Sequence, residues 1–133
     1  MDTIESLNFK INYTSKNGSS LNGFVVPLLN EKKINCIDLN LDFESRNIFI
    51  NNIFGGQEKG FYTHETKTAI VICISGNIEI LYYKEPDLLA ELSLENSNDY
   101  YRGVIIYPCV KFKFRNSTNA NAILLHICNE PWS

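Results

Sequence analysis

Apolar and polar positions alternate along much of this chain. Residues 7–13 run Leu-Asn-Phe-Lys-Ile-Asn-Tyr, apolar on one side of a strand and polar on the other. The same period of two returns at 34–41 and at 111–115. Residues 23–28 predict a short strand ending near Pro27, which cannot donate to a ladder. Residues 46–54 predict another, broken by Gly55-Gly56. Residues 69–74 are continuously apolar, as a buried strand would be, and Ser75-Gly76-Asn77 predicts a hairpin into a strand over 77–83. The segment 88–94 follows Pro86-Asp87 and has some helical character. Its apolar residues Leu88, Ala90, Leu92 and Leu94 nevertheless separate by parity, so a strand is expected. Strands over 103–107, stopped by Pro108, and over 122–128 complete the series. Asn, Ser and Gly fill the turns at 15–20, 96–98 and 116–119.

About ten short strands with almost no helix predict an all-β fold, a sandwich or barrel. A single domain fits 133 residues, and no linker, repeat or low-complexity tract divides them. Such a fold has edges to hide. Closure into a barrel hides some, and pairing with a second copy hides more.

Composition narrows the partners. The net charge is −3, from 12 basic and 15 acidic residues. Phosphate backbones and anionic lipids need clustered Lys and Arg, which this balance does not supply. The Lys32-Lys33 pair is expected in a solvated turn. The four cysteines, Cys36, Cys73, Cys109 and Cys128, form no close pair, and Cys73 and Cys128 sit in apolar runs. Residues 1–6 lack a basic, then apolar, leader, and no run approaches the roughly 18 apolar residues of a membrane span. A reduced, cytoplasmic protein is expected.

The candidate chemistry lies at Lys59-Gly60-Phe61-Tyr62-Thr63-His64, just before the apolar run. Tyr62 and His64 are two apart, so in a strand they share a face. Imidazole, titrating near about 6.5, can act as a base at neutral pH. A free phenol, near about 10, is a poor base but a good hydrogen-bond donor. Both also have bland readings, His64 as a rim histidine on a backbone carbonyl and Tyr62 as filler. His126 shares a face with Leu124 and Cys128 in the last strand, where a structural role is expected. Arg46 and Lys59 suit either a diphosphate or solvent. Glu91 and Glu95 make no convincing acid–base pair, and no phosphate loop, nucleophile elbow or zinc-finger spacing occurs.

From Arg46 onward the order of segments resembles the nucleotide-sugar 3,4-ketoisomerases, a family of small cupins that includes dTDP-4-keto-6-deoxyglucose 3,4-ketoisomerase. Three segments carry the resemblance. Lys59 to His64 stands where the family has Arg-Gly-x-His-Ala-His. Ile72-Cys73-Ile74-Ser75-Gly76-Asn77-Ile78-Glu79-Ile80 is similar to its strand-Ser-Gly-strand unit, and Gly103 to Val110 to its glycine-strand-proline segment. Ser15-Lys16-Asn17-Gly18-Ser19 is a fainter echo of its early Arg-Gly-Ser turn. The family's second histidine is kept as His64 and its first is Tyr62 here. Its arginine becomes Lys59, its following glutamine Ala69, and its Trp-His pair Lys111-Phe112. Its upstream tyrosine falls near Phe49. Arg46 matches an arginine of the nucleotide-binding face. The chain ends short of the family's usual acidic, tyrosine-bearing tail.

The resemblance implies a cupin-type jelly-roll β-barrel over residues 1–133 as one domain, and a homodimer. It implies an isomerase acting on a dTDP-linked keto-deoxy sugar, in making deoxyamino sugars for surface glycans such as lipopolysaccharide. His64 and Tyr62 would be catalytic, and Arg46, Lys59 and Lys111 would bind substrate. No cofactor is implied. Many cupins hold a metal through several histidines and a glutamate. This chain has two histidines in all, and only His64 lies near a cupin-like motif, so no metal site is expected. Two alternatives stand beside this reading. One is a non-catalytic cupin that binds a sugar nucleotide or serves as an interaction subunit, which the substitutions at Tyr62, Ala69 and Lys111-Phe112 favour. The other is a related cupin epimerase.

Overall fold

The computed structural model describes residues 4–18 and 20–131, and no helix forms among them. The strands are β1 (Ile4–Lys10), β2 (Asn12–Lys16), β3 (Ser20–Val25), β4 (Leu29–Asn30), β5 (Lys33–Ile34), β6 (Asn47–Ile53), β7 (Glu58–Thr63), β8 (Ala69–Ser75), β9 (Ile78–Glu85), β10 (Leu88–Leu94), β11 (Tyr100–Ile106), β12 (Lys111–Arg115) and β13 (Ala122–Cys128). A five-stranded sheet runs β1-β11-β8-β13-β6 and a four-stranded sheet runs β10-β9-β12-β7. Every pairing within them is antiparallel. Met1 to Thr3, Ser19 of the expected 15–20 turn, Trp132 and Ser133 lie outside the described residues. Among the described residues, no helix is long and apolar enough to cross a membrane.

The all-β jelly roll expected from the sequence is the fold, but as two facing sheets rather than a barrel closed by hydrogen bonds. Their inner faces make one core. Val71, Cys73, Val104 and Leu124 of the larger sheet meet Ile78, Ile80, Leu94, Phe112 and Phe114 of the smaller. The larger sheet also buries its outer face, where Leu7, Phe9, Ile70, Ile72 and Ile105 pack under Ile34, Phe43, Leu39 and Leu41. A strand covered on both sides must be apolar throughout. That is why Ala69 to Cys73 is buried at every position. The alternation at 34–41 therefore has a different cause from the one expected. Only Lys33–Ile34 is a strand there, and the rest is an irregular cover whose apolar residues press on the sheet.

The hairpin expected across 75–77 does not form. β8 pairs with β11 and β13, whereas β9 pairs with β10 and β12. The turn instead carries the chain from one sheet to the other. Gly76 has φ +81°, and a Cβ there would stand 2.7 Å from the Asn121 carbonyl oxygen. Both facts demand glycine. Gly76→Ala is expected to cost about 1–3 kcal/mol, read as a lower urea midpoint with an unchanged m-value.

Below this crossing, a buried asparagine joins the sheets. Asn116 donates through Nδ2 to the carbonyls of Ile53 (3.0 Å) and Ala120 (2.8 Å), while Oδ1 accepts from the Thr118 amide at 3.0 Å. Each polar atom is satisfied, so its burial is tolerated. The bond to Ile53 ties the end of β6 to the end of β12, which lie on opposite walls of the site.

Candidate active site

The site is assembled by parity. In β12, Phe112 and Phe114 are buried and face inward, so Lys111, Lys113 and Arg115 face outward. Phe112 lies opposite Tyr62 and Phe114 opposite Lys59, and directly opposed residues share a face. Simple alternation along β7 would put Lys59 and Tyr62 on opposite faces. A bulge between these pairs inserts one extra residue and brings both inward. Gly60 makes the bulge, with φ +116° and only 2.9 Å from the site of its missing Cβ to the Phe112 carbonyl oxygen. Phe61 is thrown outward against Tyr83, with ring centroids 5.6 Å apart. His64 follows Thr63, which pairs with outward Lys111, so its ring faces inward again.

The larger sheet supplies the facing wall. Phe49 and Asn51 of β6 lie on its inner side, beside Ala69 and Val71 of β8 and His126 and Cys128 of β13. Between the walls lies a cavity of about 550 Å³, lined by residues that include Lys59, Tyr62, His64, Lys67, Phe112 and His126. That is within the range of about 300–1,000 Å³ typical of small-molecule pockets. The imidazole of His64 and the phenol of Tyr62 both border this space. Phe112 lies between them, 5.6 Å from the first ring and 5.8 Å from the second.

Burial lowers the pKa of His64 below its ordinary value. The charge of Lys67 lowers it further, and Glu130 opposes the shift. The neutral imidazole, able to accept a proton, is therefore the form present at pH 7. Its backbone carbonyl accepts the Cys109 amide at 2.7 Å, which fixes the chain at the cavity mouth independently of the ring. His126 stands deeper. Its ring stacks on Phe49 at 4.5 Å and meets Phe114 edge-on at 5.6 Å. Burial, then the charges of Lys67, His64 and Lys59, pushes its pKa down to about 3.

Two expected substrate-binding residues stand elsewhere. Arg46 is exposed, 3.5 Å from Glu44, and does not line the cavity. Lys111 is on the outward face, its ammonium 5.2 Å from the centre of the Phe61 ring. Outward alternation beside Phe112 put it there. Three lining residues with side-chain nitrogens were not singled out as site residues from the sequence. His126 was placed on the correct face with Leu124 and Cys128 but assigned to structure. Asn51 shares parity with Phe49 and Ile53, a visible signal. Lys67 sits in an irregular stretch where no period marks it. Among the described residues, no group of three or more His, Cys, Asp or Glu side chains is placed to hold a metal ion, and the four cysteines are free.

No protein-family profile and no curated protein matches this chain. Solved structures do. It is similar to QdtA, a sugar 3,4-ketoisomerase from Thermoanaerobacterium thermosaccharolyticum solved with TDP. Identity is 19% and TM-score 0.73, over 98% of this chain and 83% of that one. The TDP-quinovose 3,4-ketoisomerase WlaRB from Campylobacter jejuni is 16% identical with TM-score 0.75, over 100% and 89%. ChmJ, a 3′-monoepimerase from Streptomyces bikiniensis solved as a double mutant with dTDP, is 12% identical with TM-score 0.71, over 99% and 66%. The shared fold is thus that of dTDP-sugar ketoisomerases, and it also serves an epimerase.

Proposed function

We propose that this protein is a cofactor-independent sugar-nucleotide isomerase acting on a dTDP-linked 4-keto-6-deoxy sugar. The observation that carries this reading is one cavity bordered by His64, Tyr62 and Lys59 in the fold used by TDP-sugar ketoisomerases. A 3,4-ketoisomerisation needs a base, a donor for developing negative charge and a dry pocket. His64 removes the proton from C3, and the electron pair moves onto the C4 oxygen. Tyr62 donates a hydrogen bond to that oxygen. The proton is returned to C4, while the C3 hydroxyl proton passes to the C4 oxygen, so that C3 becomes the ketone and C4 the alcohol. Lys59 and Lys67 line the cavity and hold the diphosphate, the role the sequence suggested for Lys59 together with Arg46.

The protein acts as one cupin domain spanning residues 1–133, in the cytoplasm, in making deoxyamino sugars for surface glycans such as lipopolysaccharide. It works as a homodimer. Every residue of β2 and β3 is exposed, and this ribbon carries Tyr13, Leu21, Phe24 and Val25 outward. A second copy of the chain is the partner that would cover it.

Tyr62, in place of a histidine, favours the rival reading of a cupin that binds a sugar nucleotide without turning it over. One experiment separates the readings. The protein is incubated with dTDP-4-keto-6-deoxyglucose in deuterated water, and the sugar is followed by NMR. Deuterium incorporation with a 3-keto product is the expected result. Exchange with inversion and no shift of the ketone identifies an epimerase, and binding without exchange identifies the non-catalytic protein.

A further inference from the structure

Asn51, Lys59 and His126 form a relay across the floor of the cavity. Lys59 Nζ is 2.7 Å from Asn51 Oδ1, and Asn51 Nδ2 is 3.3 Å from His126 Nε2. An ammonium has only donors, so the atom of Asn51 facing it must be the oxygen. The amide nitrogen then faces His126, and it too can only donate. His126 Nε2 must therefore accept, which leaves the ring proton on Nδ1. Among the described residues nothing bonds that Nδ1, and the ring itself lines the cavity. The stacking of Phe49 and the edge of Phe114 fix the plane of the ring.

We propose that His126 is a catalytic hydrogen-bond donor, its Nδ1–H aimed at a carbonyl or enolate oxygen of the bound sugar, with Asn51 and Lys59 as positioning residues that set its tautomer. This rests on the isomerase reading and deepens it. An enediolate spreads charge over two neighbouring oxygens, and Tyr62 serves one of them. A second fixed donor serves the other. A neutral imidazole is suited to this because it holds its proton and polarises without transferring it. The low pKa of His126 agrees with that role, since a charged ring would donate from both nitrogens and break the bond from Asn51.

Histidine-labelled protein with ¹⁵N side chains tests the proposal directly at the ring. The chain has two histidines, so His64→Asn assigns both ring systems. The expected spectrum of the free protein shows His126 protonated at Nδ1 only. Adding dTDP-4-keto-6-deoxyglucose is expected to move the Nδ1–H signal together with the His64 signals. Asn51→Asp replaces the amide donor with an isosteric acceptor. It is expected to move the proton to Nε2 and to lower kcat about 10²-fold with little change in KM, the scale of losing one oxyanion donor. A proton on Nε2 in the unaltered protein overturns the proposal. So does a His126 signal that stays still while the His64 signals move. If neither histidine responds to the sugar nucleotide, the isomerase reading fails and takes the donor role with it.

Discussion

Replacing His64 with asparagine is expected to slow deuterium exchange at C3 of the sugar at least about tenfold, a floor set below the roughly 10²–10⁴-fold that a general acid or base typically contributes. The substitution keeps a polar side chain of similar reach. It leaves intact the backbone carbonyl that holds Cys109, so the cavity mouth should keep its shape. Binding of the sugar nucleotide, read by calorimetry, should change much less than the rate. The pH profile supplies a second signature. Because burial and Lys67 lower the pKa of His64, the base form survives to more acid pH than a free imidazole would. Activity should hold as pH falls through about 6.5, the ordinary value, and decline only below it. An unchanged rate in His64→Asn removes this residue from the mechanism.

The second large effect concerns acid stability and arises from His126. The folded protein keeps this ring unprotonated down to about 3, whereas the unfolded chain protonates it near about 6.5. Below about 6.5 the unfolded state therefore binds one more proton than the folded state, and folding weakens as pH falls. The contribution is fully present above that pH and fades toward the folded value. The slope approaches about 1.4 kcal/mol per pH unit, so roughly 2 kcal/mol is lost between pH 6.5 and 4.5. The cations that face the ring, Lys59, Lys67 and any charged His64, act in the same direction. His64 adds its own smaller share. Glu79, held near 2 first by its bond from Arg115, adds acid sensitivity only below the ordinary carboxylate range. Urea unfolding at pH 4.5, 5.5, 6.5 and 7.5 reads the sum. In His126→Gln the dependence above pH 4.5 is expected to shrink to the part left by His64. An equally steep slope in that variant would show that His126 titrates normally in the fold.

Much of this architecture was legible from the residues, and the failures are physical. Parity placed Phe112 and Phe114 together and set His126 beside Leu124 and Cys128, because side chains in a strand must alternate. The turn at 75–77 carried the right residues for a reversal, but local turn chemistry cannot say which sheet receives the next strand. The segment 34–41 alternated because it covers an apolar sheet face, and irregular backbone can do that as well as a strand. In β7 alternation itself broke down. One inserted residue at the Gly60–Phe61 bulge puts Lys59 on the side of Tyr62, and a glycine was its only mark in the chain. Arg46 and Lys111 lie away from the cavity for a related reason. Charge suggests an anion, but only register decides whether the charge faces the cavity.

The most direct test of the central claim is a crystal structure with the nucleotide sugar bound, using His64→Asn to slow turnover. The account predicts the sugar between the two sheets, with C3 within about 3.5 Å of the position of the His64 ring, the reach of a near-attack geometry. It also predicts a ring oxygen substituent bonded to the Tyr62 phenol and the diphosphate beside Lys59 and Lys67. A sugar nucleotide seated on the outer face, against Phe61, Tyr83 and Lys111, with the cavity unfilled, would contradict it.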